Sequence, residues 1–234
     1  MKTEEQTSAG SANMARRSFL RYAGAGAASV GLLATAACHK DHVITLPVVT
    51  STGVDIGSGD TGILNFAYTL EQLEAAFYIQ VINTPYSGMS SNEMSLLTSI
   101  RDHEVLHREF FKAALAGAAI TSLTTDFSSI DFSSRAGVLG AAKAFEDTGV
   151  MAYDGAGYLI KNPAYLTIAG KIVSVEARHA ALIRNLLTPG SFAADDVINP
   201  SNGLNNTLTI AQVLPIANTY LKTKVSASSF NYKA

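Results

Sequence analysis

Residues 100–115 read IRDHEVLHREFFKAAL, and at their centre Glu104-Val105-Leu106-His107 sets a carboxylate and an imidazole three residues apart. Leu97, Ile100, Glu104, His107, Phe111 and Ala114 follow the alternating three- and four-residue spacing of a helix seam that faces a bundle core. Positions i and i+3 cover the same patch of a helix, so both polar groups point where apolar packing belongs. The same interruption recurs in 172–184, IVSVEARHAALIR. There Glu176-Ala177-Arg178-His179 breaks a seam of Ala169, Ile172, Ile183 and Leu186.

Two further helices can be read around these. From Asp60, read as an N-cap, to about Thr84 before Pro85, the seam is Leu64, Ala67, Glu71, Glu74, Tyr78 and Val81. A capping box at Ser90-Ser91-Asn92-Glu93 opens the second helix, which runs to about Gly117. Residues 118–133, rich in Ser and Thr and without helical period, read as a connection. The third helix spans about Ser134 to Lys161, with Leu139, Ala142, Glu146, Gly149, Tyr153 and Ala156 on its seam. Asn162-Pro163 turns into the fourth helix, which ends near Leu187. Short first and third connections make two antiparallel hairpins, and the long middle one crosses the bundle. The expected fold is therefore all-α, a four-helix bundle over 60–187 with one long crossover between helices two and three. Residues 188–234 form an extension in which Ile210–Leu221 suggests a short helix.

Each seam is apolar at its ends and acidic in its middle. Burying one unpaired carboxylate costs several kcal/mol, and a domain is stable by only about 5–15 kcal/mol. A set of facing glutamates therefore needs positive charge among them, and no seam position carries Lys or Arg. Two divalent cations balance Glu71, Glu104, Glu146 and Glu176, with His107 and His179 completing the coordination. This is the donor set of a di-iron or di-manganese carboxylate site. The two halves also repeat: Glu71 precedes Tyr78, and Glu146 precedes Tyr153, by the same interval. Glu74 breaks the repeat, because the matching position is Gly149.

The N-terminus reads as an address. Residues 14–38, MARRSFLRYAGAGAASVGLLATAAC, pair Arg16 and Arg17 ahead of a small-residue apolar run, as in a twin-arginine export signal. Cys38 is the chain's single cysteine; it follows Thr35-Ala36-Ala37, so it is either a lipidation site or an unmodified residue beside a cleavage point. Residues 39–59 read as a flexible tether. The expected location is periplasmic or cell-envelope, with the membrane touched only through the signal or a lipid. After Cys38 the chain has 13 basic against 17 acidic residues, so it carries no electrostatic footprint for nucleic acid.

Together with ILNFAYTLEQLEAAFY (63–78) and FEDTGVMAYDGAG (145–157), the two Glu-x-x-His stretches resemble the ferritin-like superfamily, and within it the family that includes desiccation-related proteins. The resemblance covers about residues 60–187. It implies terminal ligands at Glu71 and Glu146, bridging ligands at Glu104 and Glu176, and nitrogen ligands at His107 and His179. Tyr78 and Tyr153 would act as outer-shell partners. Glu74 would be a seventh ligand, a proton shuttle, or the helix-one ligand in place of Glu71; the spacing to Tyr78 favours Glu71. Asp102, His103, Glu109 and Asp147 fall beside the seam, His103 as an outer-shell or surface residue, and Arg178 reads as an ion-pair partner. The implied chemistry is oxidation of Fe(II) or scavenging of dioxygen or hydrogen peroxide at two iron ions, with manganese as the alternative; a tethered chain suits a small homo-oligomer better than a closed cage. A structural desiccation or stress protein with a stabilising metal is the competing expectation.

Overall fold

A computed structural model describes residues 53–234. The twin-arginine signal at 1–38, Cys38 and residues 39–52 lie outside the described residues. The molecule is helical throughout its body. Helix α1 spans Gly59–Asn83, α2 Ser91–Leu115, α3 Arg135–Gly157 and α4 Pro163–Leu187. Helices α1 and α2 pack as one hairpin, α3 and α4 as the other, and α1 meets α3 between them. This is the expected four-helix arrangement with one long crossover from α2 to α3.

Local chemistry sets the helix ends. Ser90 accepts from the Glu93 amide while Glu93 reaches back to the Ser90 amide, the reciprocal capping box expected from the sequence. Ser134 accepts from Gly137 N–H, and Asn162 from Ala164 N–H just ahead of Pro163. Helix α3 ends at Gly157, four residues short of Lys161, because tight turns through Leu159 and Ile160 follow. Asp60 is not the N-cap of α1; that position is Ser58. The Asp60 carboxylate instead accepts from the amides of Lys161 and Asn162 and clamps the turn between α3 and α4.

Helices α2 and α4 each bury one stripe, as their sequence pattern requires. Helix α1 differs, since Phe66, Leu70, Leu73 and Phe77 are buried along with Asn65, Thr69 and Gln72. A helix covered all round lies in the interior, and here the crossover and the C-terminal segment supply the cover. Asn65 donates to the carbonyls of Ile56 and Ala118 and accepts from Ile120 N–H, and Gln72 accepts from Leu123 N–H. The polar side chains of α1 thus pin the crossover, whose Phe127 joins Phe77, Phe145 and Tyr220 in an aromatic cluster.

The C-terminal segment carries α5, Ile210–Asn218, which buries Ile210, Val213, Leu214 and Ala217 against the bundle. Strand β2, Val225–Ser226, then pairs in parallel with β1, Val54–Asp55. The stretch read as a tether to residue 59 is therefore held from Val54 onward, and Ile56 enters the core at 1% exposure. Leu208 N–H donates to the Met151 carbonyl, and the Leu208 backbone lies directly on Gly155. A methyl group at Gly155 would strike that backbone, which cannot yield as a side chain can. Gly155→Ala is expected to cost about 1–3 kcal/mol, read as a lowered urea midpoint.

Candidate metal centre

Four helices bring six side chains to one point inside the bundle. Helix α1 contributes Glu71, α2 Glu104 and His107, α3 Glu146, and α4 Glu176 and His179. All are buried except His107, which is half-buried. Their donor atoms form two groups, each within 4.8 Å: Glu71, Glu104, His107 and Glu176 in one, Glu104, Glu146, Glu176 and His179 in the other. Glu104 and Glu176 belong to both.

His107 Nδ1 lies 2.7 Å from Glu176 Oε1 and 3.4 Å from Glu71 Oε2. His179 Nδ1 lies 2.8 Å from Glu104 Oε1, 3.3 Å from Glu176 Oε2 and 3.6 Å from Glu146 Oε2. These contacts are short but lack the alignment of hydrogen bonds. Glu71 Oε2, both oxygens of Glu104, Glu146 Oε2, both oxygens of Glu176 and the Nδ1 atoms of both histidines are buried without a hydrogen-bond partner. The remaining oxygens are satisfied: Tyr78 donates to Glu146 Oε1 at 2.6 Å, and Tyr153 to Glu71 Oε1 at 2.5 Å. Each tyrosine therefore serves the glutamate of the opposite hairpin, not the one seven residues before it.

Orphaned buried acceptors are expensive, and here they converge. Six carboxylate oxygens and two imidazole nitrogens form a mixed oxygen and nitrogen donor set suited to iron or manganese. The cluster is thus able to hold metal, and the electrostatics show what its residues do without one. Burial pushes Glu71, Glu104 and Glu146 up, with the charge of Glu176 adding to all three. Burial also lifts Glu176, but His107 and His179 outweigh it and hold Glu176 below the usual range. Burial works against charge on the imidazoles, yet Glu176 and Glu71 raise His107 to about 10, and Glu104, Glu146 and Glu176 raise His179 to about 12.

A pH dependence follows from these directions. Glutamates with raised folded pKa, and both histidines, hold protons in the folded chain that the unfolded chain releases. Their stabilisation is complete below the unfolded values, 4.5 and 6.5, and is lost as pH rises through the folded ones, about 10 and 12 for the histidines. Glu176 alone acts in the opposite sense, below 4.5. With chelator present, the melting temperature is expected to fall steadily from pH 5 to pH 9. Divalent metal is expected to flatten that slope by displacing the protons.

Glu74 lies outside both groups. It is buried, no hydrogen bond or ion pair from the described residues reaches it, and burial followed by Glu104 and Glu146 pushes its carboxyl well up. Its Oε1 occupies the space a side chain on Gly149 would fill, 3.0 Å from that Cβ position. The repeat position that lacks a carboxylate thus houses the extra one. Beside it is a cavity of about 10 Å³ lined by Leu70, Phe145, Thr148 and Ala217.

His103 Nδ1 sits 2.9 Å from His179 Nε2. Asp102 and Glu109 pair on the surface with Arg101 and Arg108. Arg178 is exposed and forms no ion pair among the described residues. The paired cation of α4 is Arg184 instead, buried on Asp147 and Asp196. The sequence marks Asp147 as lying beside the seam, but not Arg184 or Asp196, because Arg184 falls one position off the seam beside Ile183.

A crossover bundle with facing carboxylates and two Glu-x-x-His helices defines a helical carboxylate protein able to bind metal in its core. The chain belongs to the ferritin-like domain family, whose family model it matches over residues 59–189. No curated protein matches the chain.

Proposed function

We propose that this chain is an exported ferritin-like protein that holds two iron ions, or manganese, and turns over dioxygen or hydrogen peroxide in stress protection. The convergence of six unsatisfied oxygens and two Nδ1 atoms, in groups that share Glu104 and Glu176, carries the reading. Two such ions supply redox equivalents at the centre of the bundle that no side chain of this set can supply itself. The protein's part is positioning and proton handling. Glu104 and Glu176 reach both half-sites, while Glu71 and Glu146 close the ends. The hydroxyls of Tyr78 and Tyr153 fix those end carboxylates and leave one oxygen of each free. Glu74, whose carboxyl is pushed well up by burial, stands next to the cluster as the group placed to hand on a proton when oxygen is reduced. An apolar cavity of about 20 Å³, lined by Ala67, Leu70, Phe111 and Tyr153, suits a small uncharged oxidant. No helix among the described residues is long and apolar enough to cross a membrane; the proposal of export rests on Arg16, Arg17 and the apolar run that follows.

The test is oxygen-electrode and peroxide-consumption assays on Fe(II)- and Mn(II)-loaded protein with an excess of reductant. Uptake over many equivalents per protein is expected. Protein that binds metal but consumes neither oxidant would overturn the redox reading and leave the metal as a structural clamp.

A further inference from the structure

The two hairpins repeat one another, but the half-sites they build are not equal. One position before Glu104 stands His103; one position before Glu176 stands Val175. His103 Nδ1 is 2.9 Å from the Nε2 atom of His179. The two ring planes differ by only 14° with centroids 5.1 Å apart, which is too far for face-to-face stacking and right for two imidazoles joined edge to edge in one plane. His179 directs Nδ1 at Glu104, Glu176 and Glu146, so an ion held at Nδ1 leaves the ring proton on Nε2, which then donates to His103 Nδ1. No hydrogen bond from the described residues reaches the far nitrogen of His107, where the repeat offers Val175. Burial repeats the difference: every member of the His179 group is buried, whereas His107 is half-buried.

We propose that His103 is a positioning residue that makes the centre asymmetric, so that the half-site of Glu104, Glu146, Glu176 and His179 takes the first divalent cation. An outer-shell partner that fixes the tautomer and ring orientation of a ligating histidine is worth about 10- to 100-fold in metal affinity. The His179 ring is locked with Nδ1 inward, and the His107 ring must be ordered by the ion itself. The inference rests on the metal-binding part of the function proposed above and is independent of any turnover.

The experiment is a Co(II) titration of the metal-free chain, followed by calorimetry and by visible absorption. Wild-type protein is expected to bind in two steps at least tenfold apart. His103→Val should weaken the first step by about tenfold or more and leave the second in place. His103→Gln, which can still accept the Nε2 proton, should restore most of the loss. In the Co(II)-loaded protein the exchangeable ring N–H of His179 should give a slowly exchanging, hyperfine-shifted proton resonance that is lost in His103→Val and retained in His103→Gln. A merely structural effect would move both steps together and leave that resonance unchanged. Two equal steps in the wild type, or a His103→Val titration identical to it, overturns the asymmetry while the metal site stands. Absence of Co(II) binding overturns both.

Discussion

Replacing Glu104 with alanine empties both half-sites, whereas replacing Glu71 empties one. This is the expected result of elemental analysis on protein reconstituted with iron or manganese, and it follows from the way the donors are shared. Glu104 and Glu176 appear in both donor groups, Glu71 and Glu146 in one each. Wild-type protein should retain two ions per chain, Glu71→Ala and Glu146→Ala about one, and Glu104→Ala or Glu176→Ala close to none. The metal-free variants carry a second signature. Loss of Glu104 removes a buried carboxylate neither of whose oxygens has a hydrogen-bond partner, so metal-free Glu104→Ala should melt no lower than metal-free wild type although it gains nothing from added metal. Equal metal retention in Glu71→Ala and Glu104→Ala would contradict the shared geometry.

The second large effect is expected far from any metal. Arg184 is 2% exposed and donates Nε and Nη2 to the two oxygens of Asp147, both at 2.7 Å. Its outer edge reaches Asp196 at 2.9 and 2.8 Å and holds that carboxyl at about 2. Lys143 adds contacts of 3.2 and 3.4 Å to the same two acids. Arg184→Met leaves the buried Asp147 with only the ion pair to Lys143 at 3.2 Å and no hydrogen-bonded guanidinium, and breaking a buried pair on one side costs about 3–5 kcal/mol. It also removes the Nη1 donation to the Ser191 carbonyl, a tie on the segment that follows α4. Denaturant unfolding should show a loss of that size. The double variant Arg184→Met, Asp147→Leu should recover much of it, because no lone charge is then left inside.

Much of this architecture is legible in the sequence alone. Seam periodicity placed four helices, turn and cap residues placed most of their ends, and the two Glu-x-x-His pairs located the depth of the cluster. What could not be read was whatever depends on contacts between distant segments. Periodicity gave α1 a single inward stripe, yet Asn65 and Gln72 on its other faces hold the crossover, and nothing local marks an asparagine as an anchor for a loop more than fifty residues away. Spacing tied Tyr78 to Glu71, while the tyrosine bonds Glu146 on another helix. Two carboxylates three residues apart, Glu71 and Glu74, look alike on a seam. Only the glycine across the interface separates them, because Gly149 leaves room for one to turn out of the cluster.

The parallel pairing of Val54–Asp55 with Val225–Ser226 has a consequence for when the molecule can finish folding. These partners are separated by nearly the whole described chain, and such distant contacts form late. During synthesis the bundle helices can leave the ribosome and pair as hairpins, but Ile56 and the start of α1 wait for β2, which is translated only after all four of those helices. A chain cut between α5 and Val225 would keep the cluster of glutamates and histidines and still lack the clasp that closes its first helix.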